Sequence, residues 1–462
     1  MQPRAPNHFD RPSEQAPGFV PFAARVLPAQ RPIPLPATLP SLPCPQRASP
    51  FPDYELTTHL TPCARPRAHR SATTRSVRPP YPPPPEAGGS GSEHKQCRAK
   101  EMRELEDKMW AQRVEMLAEK SWQGDGDGEP LLWAVVNRFL RKRLGGGVTL
   151  LFVPATGYPK ETWEPCIAML LERYAKVDEI FVWETYNHGD AALVNALTIG
   201  DTFDWADNAR DVLQFLTYHR PLAGETNAPV CLPPHEREEQ PRRIVGVGHS
   251  HGGEVVARAA LSSPDLFDAL VLVDPVILSE TLVIPTRRAS QKKRDDALTR
   301  ATLSRRAVWP SMEHARNFFE KAPFFQTWHP AVLKAYIDHG LCLVPGTDSK
   351  KVMLKQCPYD EASFYVEPRG PAETWYQLAA LDERIELRWV LGNAMESFQG
   401  GEAYARHSVW RRPKNSSNMV VKQAGHFIPQ EAPEQLAREI ADLLIRRDAL
   451  LGSRAQSTKA RL

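Results

Sequence analysis

The chain has 462 residues, with 58 basic against 55 acidic side chains and a net charge of +3. That length accommodates one large catalytic core with attachments. So small a basic excess argues against nucleic acid or an anionic membrane surface as the main partner. Seven cysteines, Cys44, Cys63, Cys97, Cys166, Cys231, Cys342 and Cys357, are scattered without the close pairs of a zinc site or a disulfide framework, which fits a reducing compartment. Near the start, prolines, arginines, Asp10 and Glu14 interrupt every apolar stretch, so no secretory h-region forms. No run approaches the ~18 apolar residues of a membrane span. A soluble intracellular protein is expected.

Residues 1–128 read as a Pro-rich, largely disordered extension. Half of the 44 prolines fall within the first 85 residues, and proline fixes φ while removing a backbone donor. Gly88-Gly89-Ser90-Gly91-Ser92 reads as a flexible linker. Two pieces stand out: residues 54–61 are rich in strand formers and suggest an outer strand. Residues 100–120 place Met102, Leu105, Met109, Met116 and Leu117 among spaced charges and suggest a surface helix inserted before the core.

From Leu131 onward, strand-like and helix-like segments alternate, the pattern of an α/β fold with a mostly parallel sheet and helices on both faces. Strands are expected at 132–136, 148–153, 179–183, 243–247, 269–273, 385–391 and 417–421. Helices are expected at 162–174, 205–218 and 254–261, with a last one presenting Leu436, Ile440, Leu443 and Leu444 on one face. The core thus occupies 129–275 and 376–450. Between them, 276–375 breaks the rhythm with Arg305-Arg306-Ala307-Val308-Trp309 and Phe318-Phe319, and reads as a helical cap. Its Trp309, Phe318, Phe319 and Trp328 are expected to line or cover the pocket. Residues 451–462 form a polar tail.

Gly248-His249-Ser250-His251-Gly252-Gly253 lies between an apolar strand and a helix, the setting of a Gly-x-Ser-x-Gly nucleophile turn. A chain reversing from strand to helix in one turn leaves no room for Cβ atoms beside Ser250, whereas a serine that merely caps a helix needs no glycine on both sides. A serine hydroxyl is a poor nucleophile until a base removes its proton. His426, in Gln423-Ala424-Gly425-His426-Phe427 after the last strand, is the candidate base. Asp274, at the end of strand 269–273, is the candidate third member that orients the imidazole. Glu396, a few residues past strand 385–391, is the alternative. The oxyanion hole needs two converging N–H groups; His251 should supply one and Tyr158, in Thr156-Gly157-Tyr158-Pro159, the other.

These stretches resemble the α/β-hydrolase superfamily, and within it a fungal branch of peroxisomal lipases and toxin-biosynthesis hydrolases. The resemblance rests on Ala155-Thr156-Gly157-Tyr158-Pro159-Lys160-Glu161, Tyr186-Asn187-His188-Gly189-Asp190, the serine turn, Val273-Asp274-Pro275 and Gly425-His426-Phe427-Ile428-Pro429. It implies the α/β-hydrolase fold and favours Asp274 as the acid. It also disfavours epoxide hydrolase or dehalogenase chemistry, whose members carry aspartate in place of Ser250. The terminal Ala460-Arg461-Leu462 is of the small, basic, leucine type that a peroxisomal import receptor reads. A peroxisomal address is therefore expected, with the cytoplasm as the alternative.

The expected activity is a serine hydrolase acting on a small apolar acyl substrate, an ester or thioester, in lipid or secondary metabolism. It requires no cofactor and no metal. The competing reading is a catalytically degenerate hydrolase fold serving as a binding or scaffold protein, its Pro-rich segment offering polyproline ligands.

Overall fold

Regularly spaced runs of β-branched and aromatic residues build the sheet of the computed structural model, which describes residues 7–12, 23–82, 92–236, 242–278, 285–346, 350–367, 369–394 and 400–459. Among these, one sheet contains β1 (Tyr54–Pro62), β2 (Trp133–Arg141), β3 (Val148–Val153), β4 (Val177–Glu184), β5 (Ile244–His249) and β6 (Phe267–Val273). Later in the chain β7 (Val308–Trp309), β8 (Leu341–Leu343) and β9 (Val352–Leu354) form a small separate sheet, before β10 (Glu386–Gly392) and β11 (Ser416–Val421) rejoin the large one. The large sheet runs β1-β2-β4-β3-β5-β6-β10-β11. From β4 to β11 all neighbours are parallel, whereas β1, β2 and β4 pair antiparallel at one edge. The parallel strands β3, β4, β5 and β6 are buried almost throughout, as a sheet covered on both sides requires.

Each face has its own cover. On one side α2 (Glu164–Arg173) packs beside the C-terminal helix Pro433–Lys459. Ile167, Leu170, Leu436, Ile440 and Leu443 there meet Val245, Val247 and Val271 of the sheet. The other side carries the short α3 (Gly189–Val194), then α4 (Trp205–Gln214) and α5 (His251–Ser262). Ala209, Val212, Val255, Val256 and Ala259 bury against Leu151, Leu270 and Leu272. Alternate residues of one strand thus enter opposite cores, so a slip of one residue would exchange the two.

Three expectations need correction. The strand expected at 132–136 continues as β2 to Arg141. The polar Asn137 and Arg138 hide it in the sequence but are partnered in the fold: Asn137 Nδ2 donates to Glu161 Oε1 at 3.0 Å and Arg138 Nε to Glu179 Oε1 at 2.7 Å. The cap is not purely helical. Besides α6 (Pro285–Ser304), α7 (Met312–Lys321), α8 (Pro323–Gln326), α9 (Pro330–Gly340), α10 (Pro358–Tyr365) and α11 (Arg369–Gln377), the 276–375 segment contains the antiparallel β7-β9-β8 sheet.

The third correction concerns the extension, which is largely built into the core where it is described. β1 is the outer strand, paired with β2 along its whole length. Phe9, Leu27, Phe51 and Cys63 are buried. Arg25 Nε donates to Glu373 Oε1 at 2.7 Å, Arg67 Nη1 to Asp211 Oδ1 at 2.6 Å and Arg78 Nε to Asp360 Oδ1 at 2.7 Å. Proline content alone misjudged this segment, because guanidinium–carboxylate pairs to distant helices hold it. The helix expected at 100–120 is α1 (Ser92–Ala118), and it too buries side chains: Met109 joins Leu303 and Tyr359 of the cap in one cluster. The stretch Gly88 to Gly91 lies outside the described residues. No helix among the described residues is long and apolar enough to cross a membrane.

Candidate active site

The serine turn shows why its glycines are required. Ser250, between β5 and α5, has φ 56° and ψ −120°, a region that a non-glycine residue occupies only under constraint. A Cβ on Gly248 would lie 2.2 Å from the carbonyl oxygen of Gly252, and a Cβ on Gly252 would lie 2.2 Å from that of Val153. The crossing of strand and helix leaves no room for either. The turn is tied to the neighbouring strand by Ser250 N–H, which donates to Val273 O at 3.0 Å.

The loops at the carboxyl ends of β6 and β11 bring two more side chains to Ser250. The Ser250 hydroxyl lies 2.9 Å from His426 Nε2, and His426 Nδ1 lies 2.6 Å from Asp274 Oδ2. Asp274 follows β6 directly with φ 37°. Its N–H donates to Val390 O at 2.8 Å and its Oδ1 accepts Gly392 N–H at 3.2 Å, so β10 holds it from both ends. The alternative acid, Glu396, lies outside the described residues.

His249 has a place here that sequence reading missed. Its Nε2 lies 2.8 Å from His426 O. A carbonyl can only accept, so His249 carries its proton on Nε2, and burial keeps the ring well below the usual imidazole range and neutral. The residue before the serine thus holds the backbone of the histidine. The position before the serine is variable in type, so nothing in the pentapeptide signals this.

The loop after β3 completes the surroundings. His251 opens α5 and Tyr158 sits in the facing loop; both line one cavity with Ser250 and His426. Gly157, at φ 92°, donates its N–H to His188 Nε2 at 3.0 Å. That contact fixes the His188 tautomer: Nε2 accepts, so Nδ1 holds the proton and donates to Asn187 Oδ1 at 3.0 Å. Burial, with Arg305 nearby, lowers His188 to about 3 and keeps it an acceptor. Behind the loop, Lys160 Nζ lies 2.8 Å from Asp190, 3.0 Å from Glu161 and 3.2 Å from Glu184, and Lys355 Nζ lies 2.6 Å from Asp190. The Pro-Lys-Glu and His-Gly-Asp stretches quoted above were the only sequence signal of this support.

The cavity has a volume of about 500 Å³ and lies between the strand ends and the cap. Phe318 and Phe319 line it as expected, joined by Phe324, Phe325 and Phe364. Trp309 and Trp328 do not. They are buried inside the cap, where Trp309 packs on Phe319 with ring centroids 5.1 Å apart and Trp328 on Phe325 at 5.0 Å.

The model of the Alpha/beta hydrolase family matches residues 150–439, the span from β3 into the C-terminal helix. The chain belongs to the α/β-hydrolase family. Relatives of this hydrolase include an abhydrolase domain-containing protein of Alternaria alternata, 28% identical over 229 residues, covering 43% of this chain and 82% of the relative. The Saccharomyces cerevisiae Peroxisomal membrane protein LPX1 is 28% identical over 156 residues, covering 33% of this chain and 37% of the relative. A Type I acyl-CoA thioesterase of Penicillium brevicompactum is 28% identical over 193 residues, covering 40% of each chain. The aligned part thus spans less than half the length of the yeast and Penicillium proteins. The solved structure of the yeast peroxisomal alpha-beta-hydrolase Lpx1 superposes with a TM-score of 0.58 at 16% identity, covering 89% of this hydrolase and 99% of the yeast chain, which establishes a shared fold.

Proposed function

We propose that this α/β-hydrolase cleaves carboxylic esters or thioesters of an apolar acyl substrate through an acyl-enzyme on Ser250. The observation that carries the reading is the hydrogen-bonded line from Ser250 Oγ through His426 to Asp274, opening into a largely apolar cavity. His426 Nε2 takes the hydroxyl proton as Oγ attacks the acyl carbonyl, and Asp274 stabilises the imidazolium without itself taking a proton. The carbonyl oxygen becomes an oxyanion held by the N–H groups of His251 and Tyr158. Collapse expels the alcohol or thiol, which receives the proton from His426. Water, activated by the same histidine, then releases the acid. A relative named as an acyl-CoA thioesterase supports an acyl substrate.

Labelling by a fluorophosphonate probe tests the assignment. The native protein should be labelled covalently at Ser250, and Ser250→Ala should not. An unlabelled native protein would favour a binding role for the fold.

The naming of the yeast relative supports a peroxisomal location. Ala460, Arg461 and Leu462 lie outside the described residues. As their candidate role is to bind an import receptor, a fluorescent protein carrying residues 453–462 at its own C-terminus should enter peroxisomes in a fungal cell. A diffuse signal would leave this hydrolase in the cytoplasm.

A further inference from the structure

The cavity wall is mostly hydrocarbon, yet charged side chains stand on it: Arg305 and Arg306, with Asp295, Glu361 and Glu367. Arg305, at the end of α6, lines the cavity with about a quarter of its side chain accessible (26%), and its Nη2 pairs with Glu361 Oε2 at 2.5 Å. Its Nε has no hydrogen-bond partner among the described residues. Glu361 reaches over the oxyanion loop: a Cβ on Gly157 would lie 3.0 Å from that carboxylate. The pair therefore borders the end of the cavity that holds the reacting carbonyl. Two phenols, Tyr158 and Tyr336, line the same cavity. Burial pushes Tyr336 up to about 12, so its hydroxyl keeps its proton.

Placing such groups on an apolar wall costs free energy unless something pairs with them. Arg305 and Glu361 cancel in charge, so the cluster offers N–H and O–H donors without a net positive field. A substrate carboxylate would bring a second anion beside Glu361, whereas an uncharged oxygen meets only donors. Resting on the acyl-hydrolase reading, we infer that Arg305, Tyr158 and Tyr336 form a subsite for a neutral oxygen, a ketone or hydroxyl, carried on the acyl chain of the substrate.

Matched p-nitrophenyl esters test this, because their leaving group is the same throughout: octanoate, oxooctanoates with the ketone moved along the chain, and the half-ester of octanedioic acid. One oxo isomer should exceed octanoate in kcat/KM by roughly 10- to 100-fold, the range for a hydrogen bond to a charged donor. The ratio should collapse toward one in Arg305→Met/Glu361→Gln, a pair chosen so that no charge is left buried alone. Tyr336→Phe, which removes one hydroxyl and leaves the packing, should lower the ratio by about threefold. Equal rates for octanoate and every oxo isomer, or a preference for the octanedioic half-ester, would overturn the subsite. Calorimetric titration of Ser250→Ala with the same esters separates the two readings. Selective binding of an oxo ester without turnover by the native protein would keep the subsite and remove the hydrolase assignment.

Discussion

The strand ends that carry Ser250 and the extension that wraps them are held by different physics. β3, β5 and β6 are positioned by burial of Val, Ile, Leu and Phe on both faces, a non-directional force that tolerates many sequences. The extension, apart from β1, runs through residues 23–82 with little regular structure. It is held by directed contacts: Arg25 to Asp204 and Glu373, Arg67 to Asp207 and Asp211, and Arg78 to Asp360. Backbone contacts add to these, with Gly200 N–H donating to Ala72 O and Asp201 N–H to Ser71 O. A region built by burial loses a fraction of its stability per lost methyl group. A region built by buried ion pairs depends on each partner, because removing one leaves the other charged and unsolvated.

The largest expected effect lies on the strand-end side and leaves the fold untouched. Ser250→Ala and His426→Ala should each lower kcat for a short-chain aryl ester by about 10⁴-fold or more, and the double variant should be little worse than either, as the proposed catalytic triad acting as one unit requires. Asp274→Asn should cost about 10³- to 10⁴-fold by favouring the wrong His426 tautomer. Steady-state kinetics beside unchanged thermal unfolding would check this. An Asp274→Asn enzyme with near-native kcat would transfer the third role to another acid, with Glu396 the first to test.

Next in size is the break on the extension side. Arg67 is buried and bridges Asp207 and Asp211 of α4, with Asp211 Oδ1 also accepting Ala64 N–H at 2.8 Å. Arg67→Met should destabilise by about 3–5 kcal/mol, the usual cost of stranding one side of a buried pair. Urea unfolding measures it. A loss under ~1 kcal/mol would mean that these pairs are not what holds the extension.

The same contrast explains what the sequence disclosed. The sheet, the serine turn and the grouping of His426 and Asp274 beside Ser250 were readable because apolar runs and a strand–turn–helix pentapeptide are local signals. The ordering of the extension was not readable, because Arg25 meets Glu373 and Arg78 meets Asp360 across hundreds of intervening residues. Local composition around Arg25 and Arg78 records only proline and charge. The cap aromatics fell between: Phe318 and Phe319 were placed correctly, but no periodicity separates a residue facing the cavity from Trp309 or Trp328 packed behind it.

A third prediction concerns the loop after β3, proposed to hold the oxyanion, where Gly157 N–H donates to His188 Nε2. His188→Leu removes the acceptor of the Gly157 N–H, whereas His188→Gln can replace it with a side-chain carbonyl. Leucine should lower kcat by roughly 10- to 100-fold with little change in KM, as expected for a group acting only through the transition state. Glutamine should restore most of the loss. Equal defects in both variants, tracking a common fall in unfolding temperature, would reduce His188 to packing.

The smallest expected effect sits where the two regions meet. Glu254 lies on α5, four residues after Ser250, and its Oε1 accepts from Thr374 Oγ1 at 2.5 Å. The neighbouring Glu373 receives Arg25 from the extension and Arg258 from α5. Burial raises the Glu254 carboxyl to about 7, opposed mainly by Arg258. Its folded value thus lies above the ~4.3 of an unfolded glutamate, so the folded chain binds the proton more tightly. The stability this contributes is fully present below about pH 4 and is lost as pH rises through about 7, on the order of a few kcal/mol at most. Glu254→Gln keeps an acceptor for Thr374 but cannot ionise. Urea midpoints at pH 5 and pH 8 should therefore shift less in Glu254→Gln than in the native chain, and the difference isolates this carboxyl from every other titrating group. Parallel midpoints in the two proteins would mean that Arg258 holds Glu254 ionised throughout, making the junction between α5 and the extension one more buried ion pair.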